Sequence, residues 1–283
     1  MPLMSYAIEA QGLTKTFKAS RRKDKNSPTG KLAGSRAGSL ADNPASNAAP
    51  EGVITAVDNL SFAVKQGGIY GLLGPNGAGK TTTMRMLATL IKPKTGDALV
   101  MGHSITQEPE AVRASIGFLT SELKLEEFFT PDYLFDFFAR LHRVDPAAAA
   151  QQKQFLFKRF DIEEFAYTKV SKLSSGMKQK ASLAVSLVHD PNLIIFDEPT
   201  NGLDVLTARV VTDYLEELRD AGKTIVLSTH IFSLAEKLCD RMAIIMDGQM
   251  VAEGTLEEIS PNRSLEDTFF DLYNARHGEE VRL

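Results

Sequence analysis

The chain has 283 residues, 43% hydrophobic, 24% charged and 8% aromatic, with a formal net charge of −4. That length and balance exclude wholesale disorder and leave room for one large domain or two modest ones with a sizeable core. The negative charge gives no reason to expect a broad nucleic-acid-binding surface, and the single cysteine, Cys239, excludes an internal disulfide.

The N-terminal MPLMSYAIEAQ lacks the basic stretch and apolar run of a secretory signal, and residues 181–188, the best apolar run, fall well short of the ~20 residues that span a bilayer. A reduced, cytoplasmic protein is expected. Any membrane role must then come through a partner.

Residues 7–17 and 54–64 read as strands separated by an insertion. Residues 18–52 are mainly Ser, Ala, Gly, Asn, Pro and Lys/Arg, with seven basic against three acidic side chains, and Leu32 and Leu40 are the only large aliphatics. So little apolar surface does not offset the entropy of ordering, so this segment is expected to be a disordered loop. Two readings stay open for it: a tolerated insertion, or a basic patch that touches lipid head groups or another partner.

Short aliphatic runs at 69–73, 193–196, 224–228 and 242–246 suit strands buried on both faces of a parallel sheet. Directly after the first come Gly74, Pro75, Asn76, Gly77, Ala78, Gly79, Lys80 and Thr81, followed by a helical run from Thr82. The spacing G-x-x-x-x-G-K-[ST] between a strand and a helix is a phosphate-binding loop. Glycines let successive N–H groups curl toward phosphate oxygens, and the helix N-terminus adds its partial positive charge. Lys80 would bridge β- and γ-phosphates, and Thr81 would ligate Mg²⁺.

Residues 122–173 are helical in pattern and hold nine of the sixteen Phe residues, with Leu134, Phe137, Phe138 and Leu141 forming one stripe after Pro131. This is an inserted helical subdomain, and its Phe richness is either a small aromatic core or a docking surface for a partner helix. Next comes Ser174-Ser175-Gly176-Met177-Lys178-Gln179-Lys180, where Ser-Ser-Gly alone would be a helix N-cap.

The buried strand at 193–196 ends in Asp197 and Glu198. Asp197 is placed to hold Mg²⁺, directly or through water, and Glu198 to act as base on a water facing the γ-phosphate. The order, loop first and acids later, is that of a P-loop NTPase. Pro199-Thr200-Asn201-Gly202-Leu203-Asp204 follows, then a helix with Val211, Tyr214, Leu215 and Leu218 on one face ending at Gly222, and a strand that ends at His230.

Together these segments resemble the ATP-binding subunit of ABC transporters: phosphate loop, signature, acidic strand, D-loop and switch histidine, in order, over nearly the whole chain outside 18–52. The resemblance implies a P-loop NTPase (RecA-like) α/β core with a mainly parallel sheet, an antiparallel β-subdomain and the inserted helical subdomain at 122–180. It also implies an ATP-binding domain over 1–263 and a C-terminal helix and tail over 264–283. The implied cofactors are ATP and Mg²⁺, and the implied state is a head-to-tail dimer, a homodimer being the simplest. Each ATP would lie between the phosphate loop of one subunit and Ser174, Ser175, Gly176 and Met177 of the other. By the same resemblance His230 would sense the γ-phosphate, Asp204 would couple the two sites and Phe17 would stack on adenine. The remaining histidines match no motif and read as surface or packing residues.

Two departures narrow the family. Ser121 stands where most relatives carry a Mg²⁺-ligating Gln, so Ser121 through a water, or Glu122, is expected to substitute; and Met177 replaces the usual Gln of the signature. These, with residues 108–113 and 264–269, resemble exporter-type subunits, most closely the sodium-extruding NatA type. Such subunits serve a separate integral membrane permease, so this one would sit on the inner face of the cell membrane and power export. Sodium is the expected cargo; a drug, lipid or polysaccharide is the alternative, and a soluble non-transport ATPase a more distant one.

Overall fold

The computed structural model describes residues 6–18, 52–120 and 125–278. The expected loop at 18–52 is outside the described residues except for its two ends, and so are Ser121 and Glu122.

The strands flanking the insertion, β1 (Tyr6–Lys18) and β2 (Val53–Lys65), pair antiparallel, with Phe17 opposite Ile54. The second half of β2 alternates, with Leu60, Phe62 and Val64 inward and Asn59, Ser61, Ala63 and Lys65 outward, the pattern of a sheet with one wet face. β3 (Gly68–Leu73) leads through the phosphate loop into α1 (Lys80–Leu87). β4 (Thr95–Val100) and the two-residue β5 (His103–Ser104) complete a four-stranded antiparallel sheet of order β2-β1-β4-β5.

α2 (Pro109–Ser115) precedes β6 (Ile116–Thr120). The helical region then contributes α3 (Pro131–Leu141), α4 (Pro146–Arg159) and α5 (Ser175–Ser186). β7 (Leu193–Asp197), α6 (Val205–Asp220), β8 (Thr224–Thr229), α7 (Phe232–Leu238) and β9 (Arg241–Met246) alternate strand and helix, and β10 (Gln249–Gly254), α8 (Leu256–Ile259) and α9 (Leu265–His277) close the described chain. The second sheet has the order β10-β9-β3-β8-β7-β6; every pair in it is parallel except β10 with β9. The expected α/β architecture is thus present in both its sheets. No helix among the described residues is long and apolar enough to cross a membrane.

β3, β7 and β8 are almost wholly buried because helices cover both faces, which explains why their sequences run without alternation. α6 buries Val211, Tyr214, Leu215 and Leu218 as spaced, and Gly222 follows its C-cap at φ +83°, a conformation that suits glycine.

The expected helical stripe divides between the core and the exposed side of α3. Leu134 is buried and Phe138 packs against the core, but Phe137 and Leu141 are 44% and 62% exposed, and the inward positions include Phe135 and Ala139 instead. Phe135 meets Phe157 edge to face at 5.5 Å, and Phe160 meets Tyr214 the same way at 4.8 Å, so a small aromatic core does form. Outside it Phe129, Tyr133 and Phe137 stack in succession, at 4.6 and 6.4 Å between centroids, on the exposed side of α3. Both readings of the Phe richness therefore have residues behind them.

Phe135 is fully buried in the aromatic core. Its truncation in Phe135→Ala should cost about 3–5 kcal/mol. The expected readout is a lower urea midpoint, with faster amide exchange in α3 and α4 than in β3, β7 and β8.

Candidate nucleotide site

Gly74 to Thr82 wrap from the end of β3 into α1. Gly79 sits at φ +102°, and a Cβ there would stand 2.3 Å from the Ala56 carbonyl oxygen, so no other residue fits. Gly77, at φ +85°, has nothing within 4 Å of where its Cβ would be, which leaves the loop open on that side. The helix that begins at Lys80 has no side-chain cap on its first turn, so its N–H groups are disposed toward an anion. The Ala78 carbonyl is tied from behind by Gly248 N at 3.0 Å, and Ala78 N donates to the Pro75 carbonyl at 3.2 Å.

A cleft of about 410 Å³ opens over this loop. Of the residues singled out in the sequence, Phe17, Asn76, Gly77, Gly79, Lys80, Thr81, Thr82 and Glu198 line it. Ala56 and Asn201 line it as well and were not singled out; Asn201 stood inside a quoted segment, whereas Ala56, a small residue in β2, carries no signal in one sequence.

Lys80 is 5% exposed. Its Nζ donates to the Gly74 carbonyl at 2.7 Å and the Pro75 carbonyl at 3.2 Å and lies 3.5 Å from Glu198 Oε1. Burial holds the ammonium below the ordinary lysine value, and the Glu198 and Asp197 carboxylates act in the opposite sense. A buried cation with one carboxylate partner gains from further negative charge in the cleft.

Glu198 occupies φ +56°, a left-handed backbone held by a non-glycine residue directly before a proline, which ordinarily drives its neighbour to extended backbone. Its N–H points at Ser228, with the carbonyl at 3.2 Å and Oγ at 3.1 Å. The side chain spans two partners, Lys80 through Oε1 and His230 Nδ1 through Oε2 at 2.9 Å. One residue earlier the backbone is still in the strand, so Asp197 is 3% exposed and accepts from Thr81 Oγ1 at 3.0 Å and Ser228 Oγ at 2.6 Å. Ser228 was missed in the sequence because it closes an aliphatic run as an ordinary strand residue; only the pairing of Asp197 with Ser228 across β7 and β8 reveals it.

Thr81 Oγ1 and Asp197 Oδ1 form a pair of hard oxygen donors beside the phosphate loop, and no group of three His, Cys, Asp or Glu gathers among the described residues. That donor set fits Mg²⁺, which takes few protein ligands and completes its octahedron with phosphate and water. Ser121, the third expected ligand, lies outside the described residues.

The signature residues do not line this cleft. Ser174 Oγ caps α5 by accepting from Met177 N at 3.2 Å, so within one chain the N-cap reading holds. Gly176 is buried against α6, where a Cβ would meet Thr207 Oγ1 at 3.0 Å and Asp204 Oδ2 at 3.5 Å, and Met177 packs on the core. Asp204 caps α6, accepting from Leu206 N and Thr207 N at 3.0 Å each and from Thr207 Oγ1 at 2.7 Å. The Thr207 bonds hold its carboxyl below the usual range. Of the other histidines, His142 and His189 stack at 3.9 Å, with His189 pushed down to about 4 by burial; His103 pairs with Glu108, and His277 stacks on Tyr273.

Known proteins resemble this chain in sequence and fold. The ABC transporter family matches residues 57–201. The chain is 35% identical over 216 residues to the ABC transporter ATP-binding protein NatA of Bacillus subtilis, covering 76% of this chain and 88% of that one. It is 40% identical over 223 residues to the Nod factor export ATP-binding protein I of Neorhizobium galegae, covering 75% of this chain but 64% of that relative's length. A solved ATP-binding subunit of an ABC transporter superposes with a TM-score of 0.75 at 25% identity, covering 94% of this chain and 99% of the other.

Removing the Ser228 hydroxyl takes one of the two donors from Asp197. Ser228→Ala should raise the Mg²⁺ concentration needed for half-maximal nucleotide binding several-fold and leave the far-ultraviolet dichroism unchanged; an unaltered Mg²⁺ requirement would mean that Thr81 alone positions Asp197.

Proposed function

Because the chain belongs to the ABC transporter family as an ATP-binding subunit, we propose that it is the ATP-hydrolysing engine of an exporter, closing head to tail on two ATP molecules to drive a separate integral membrane permease. The observation that carries this reading is the chain of contacts from Lys80 to Glu198 to His230 across the mouth of the phosphate loop. A buried cation, a carboxylate and an imidazole in contact beside the phosphate loop support a reading in which they meet the γ-phosphate of a loop-bound nucleotide.

Phe17, 42% exposed at the end of β1, offers its ring to adenine, with Lys15 Nζ 5.5 Å from the centroid on the ring's face. Residues from Gly74 to Thr82 cradle the phosphates, and Lys80 exchanges its loop carbonyls for β- and γ-oxygens. Thr81 and Asp197 would hold Mg²⁺, which would supply neutralisation of the phosphate charge. Glu198 orients a water and takes its proton as the water oxygen bonds to the γ-phosphorus and the bond to the ADP oxygen breaks, giving ADP and phosphate. His230, held by Glu198, reaches the γ-phosphate.

The far side of the nucleotide is supplied by Ser174, Ser175, Gly176 and Met177 of a second subunit, a reading supported by their absence from the cleft of their own chain. A homodimer meets this need because the chain carries both halves. Asp204, against Gly176 in the same chain, ties the signature of one site to the dimer seam beside the other. The ATP-binding domain extends over 1–263, with 264–283 as C-terminal helix and tail.

The permease docks on the exposed face of α3, where Phe129, Tyr133 and Phe137 stack, and through it the subunit sits on the inner face of the cell membrane. Sodium extrusion is the cargo reading that goes with the NatA likeness. The Nod factor export relative, at similar identity over a similar share of this chain, supports export of another cargo, a drug, lipid or polysaccharide, as the second reading. Cargo choice belongs to the permease.

Glu198→Gln should bind ATP, lose at least about 100-fold in hydrolysis and accumulate as an ATP-dependent dimer on size-exclusion chromatography. Hydrolysis at the wild-type rate would remove Glu198 from the role of base.

Tyr133→Ala/Phe137→Ala should keep ATP binding and lose stoichiometric co-purification of a polytopic membrane protein from mild detergent. Retention of that protein by the double variant would place the docking face elsewhere.

A further inference from the structure

A second pocket, about 350 Å³ and open to solvent, adjoins the start of the phosphate loop and His230. It is lined by Leu73, Gly74, Pro75 and His230 and by an aromatic set drawn from α7 and α9. Phe232 meets Phe269 at 5.1 Å with the rings tilted by 59°, Phe269 meets Phe270 edge to face at 5.7 Å, and Tyr273 stacks on Phe269 at 6.3 Å. None of the residues lining the cavity carries a carboxylate, ammonium or guanidinium group; the His230 imidazole and the Tyr273 hydroxyl are its only side-chain polar groups.

α9 is held at both ends. Leu265 N donates to Glu236 Oε1 at 3.1 Å, while Arg276 donates to Asp247 Oδ2 at 2.9 Å and to Gln249 Oε1 at 2.8 Å. The turn that receives Arg276 also supplies Gly248 N to the Ala78 carbonyl. The helix therefore does not slide inward to fill the space, and its C-terminal anchor is one residue from a hydrogen bond to the phosphate loop.

We propose that this cavity is a binding site for a neutral, planar, ring-containing small molecule, and that its occupancy is felt at the nucleotide cleft through His230 and the Gly74–Pro75 backbone. The volume falls in the range of small-molecule sites, about 300–1,000 Å³, and the lining is that of such sites, apolar and aromatic with few polar groups. A charged ligand would be desolvated there without a partner of opposite sign. A flat ring system instead gains offset and edge contacts with Phe232, Phe270 and Tyr273. The coupling follows from position: His230, whose Nδ1 bonds Glu198 Oε2, is also one of the residues lining the pocket, so a ligand that moves it alters that bond. Binding itself does not depend on the nucleotide reading; the coupling rests on it.

The test uses the full chain and the fluorescent probe 1-aminoanthracene, which is neutral, planar and brightens in apolar surroundings. Saturable binding to one site is expected. Phe270→Asp, which puts a carboxylate in the wall, and Phe270→Trp, which fills the cavity, should each weaken the probe at least tenfold while dichroism and ATP binding stay as in the wild type. If Phe270→Asp does not fold, Phe270→Trp decides. In Glu198→Gln, saturating ATP with Mg²⁺ should change the probe affinity at least threefold, and the probe should change ATP affinity by the same factor, as linkage requires. No saturable binding, or equal affinity in the folded variants, overturns the site; probe binding indifferent to ATP overturns the coupling. A chain that binds the probe at this site but does not hydrolyse ATP keeps the site and refutes the proposed function, so the two failures are distinguishable.

Discussion

The nucleotide site depends on the Asp197 carboxylate, buried at the end of β7 and bonded to hydroxyls from two other elements. A carboxylate that deep is stable only when it is hydrogen-bonded, and here Thr81 from α1 and Ser228 from β8 both donate to its Oδ1. Those two bonds pin the first turn of the helix after the phosphate loop to the centre of the parallel sheet. Ser228 is used twice, donating to Asp197 and accepting from Glu198 N, so the same hydroxyl that satisfies one acid fixes the backbone of the next. Loss of this hydroxyl would be felt on both sides of the strand end.

Adjacent residues in a strand point to opposite faces, and that alternation would send Glu198 away from Asp197. The left-handed turn at Glu198 breaks the strand at the residue where both acids are needed near one cleft, and Pro199 follows immediately. Such a backbone costs on the order of 1–3 kcal/mol and persists where its surroundings fix it. The surroundings here are the Ser228 bonds behind it and the Lys80 and His230 contacts in front. The strain accounts for how two neighbouring carboxylates take different tasks, one buried against hydroxyls and the other reaching the cleft.

Most of this was legible in the sequence because its signals are local. The phosphate loop is a contiguous string, the acids end a contiguous apolar run, and charge-poor strands announce a sheet covered on both faces. What stayed hidden depends on contacts between distant segments. Ser228 is one serine in a buried run until its register against Asp197 is known, and Ala56 matters only because Gly79 comes within reach of its carbonyl. The division of the α3 stripe was hidden for a related reason. Phe is equally suited to a core or an exposed stacked face, so helical spacing grouped Leu134, Phe137, Phe138 and Leu141 without deciding which turn in; Phe137 and Leu141 stay exposed, whereas Phe135 and Ala139 are buried. The second cavity, too, is assembled from residues 73–75, 230–232 and 269–273, which no single window joins.

The two halves of the nucleotide machinery are joined within the chain along one mechanical line. Gly176 is small because Thr207 and the Asp204 carboxylate press against it, and Asp204 in turn caps α6 through three hydrogen bonds. Between Glu198 and Asp204 the chain makes only short turns, with Asn201 N bonded to the Glu198 carbonyl and Leu203 N to that of Thr200. A shift of Glu198 toward a phosphate therefore has a short, hydrogen-bonded route to the start of α6 and from there to the signature helix α5. In the proposed head-to-tail dimer that route would run from one cleft to the signature that faces the other. Within the chain it consists of backbone turns and a capped helix, without a flexible linker between them.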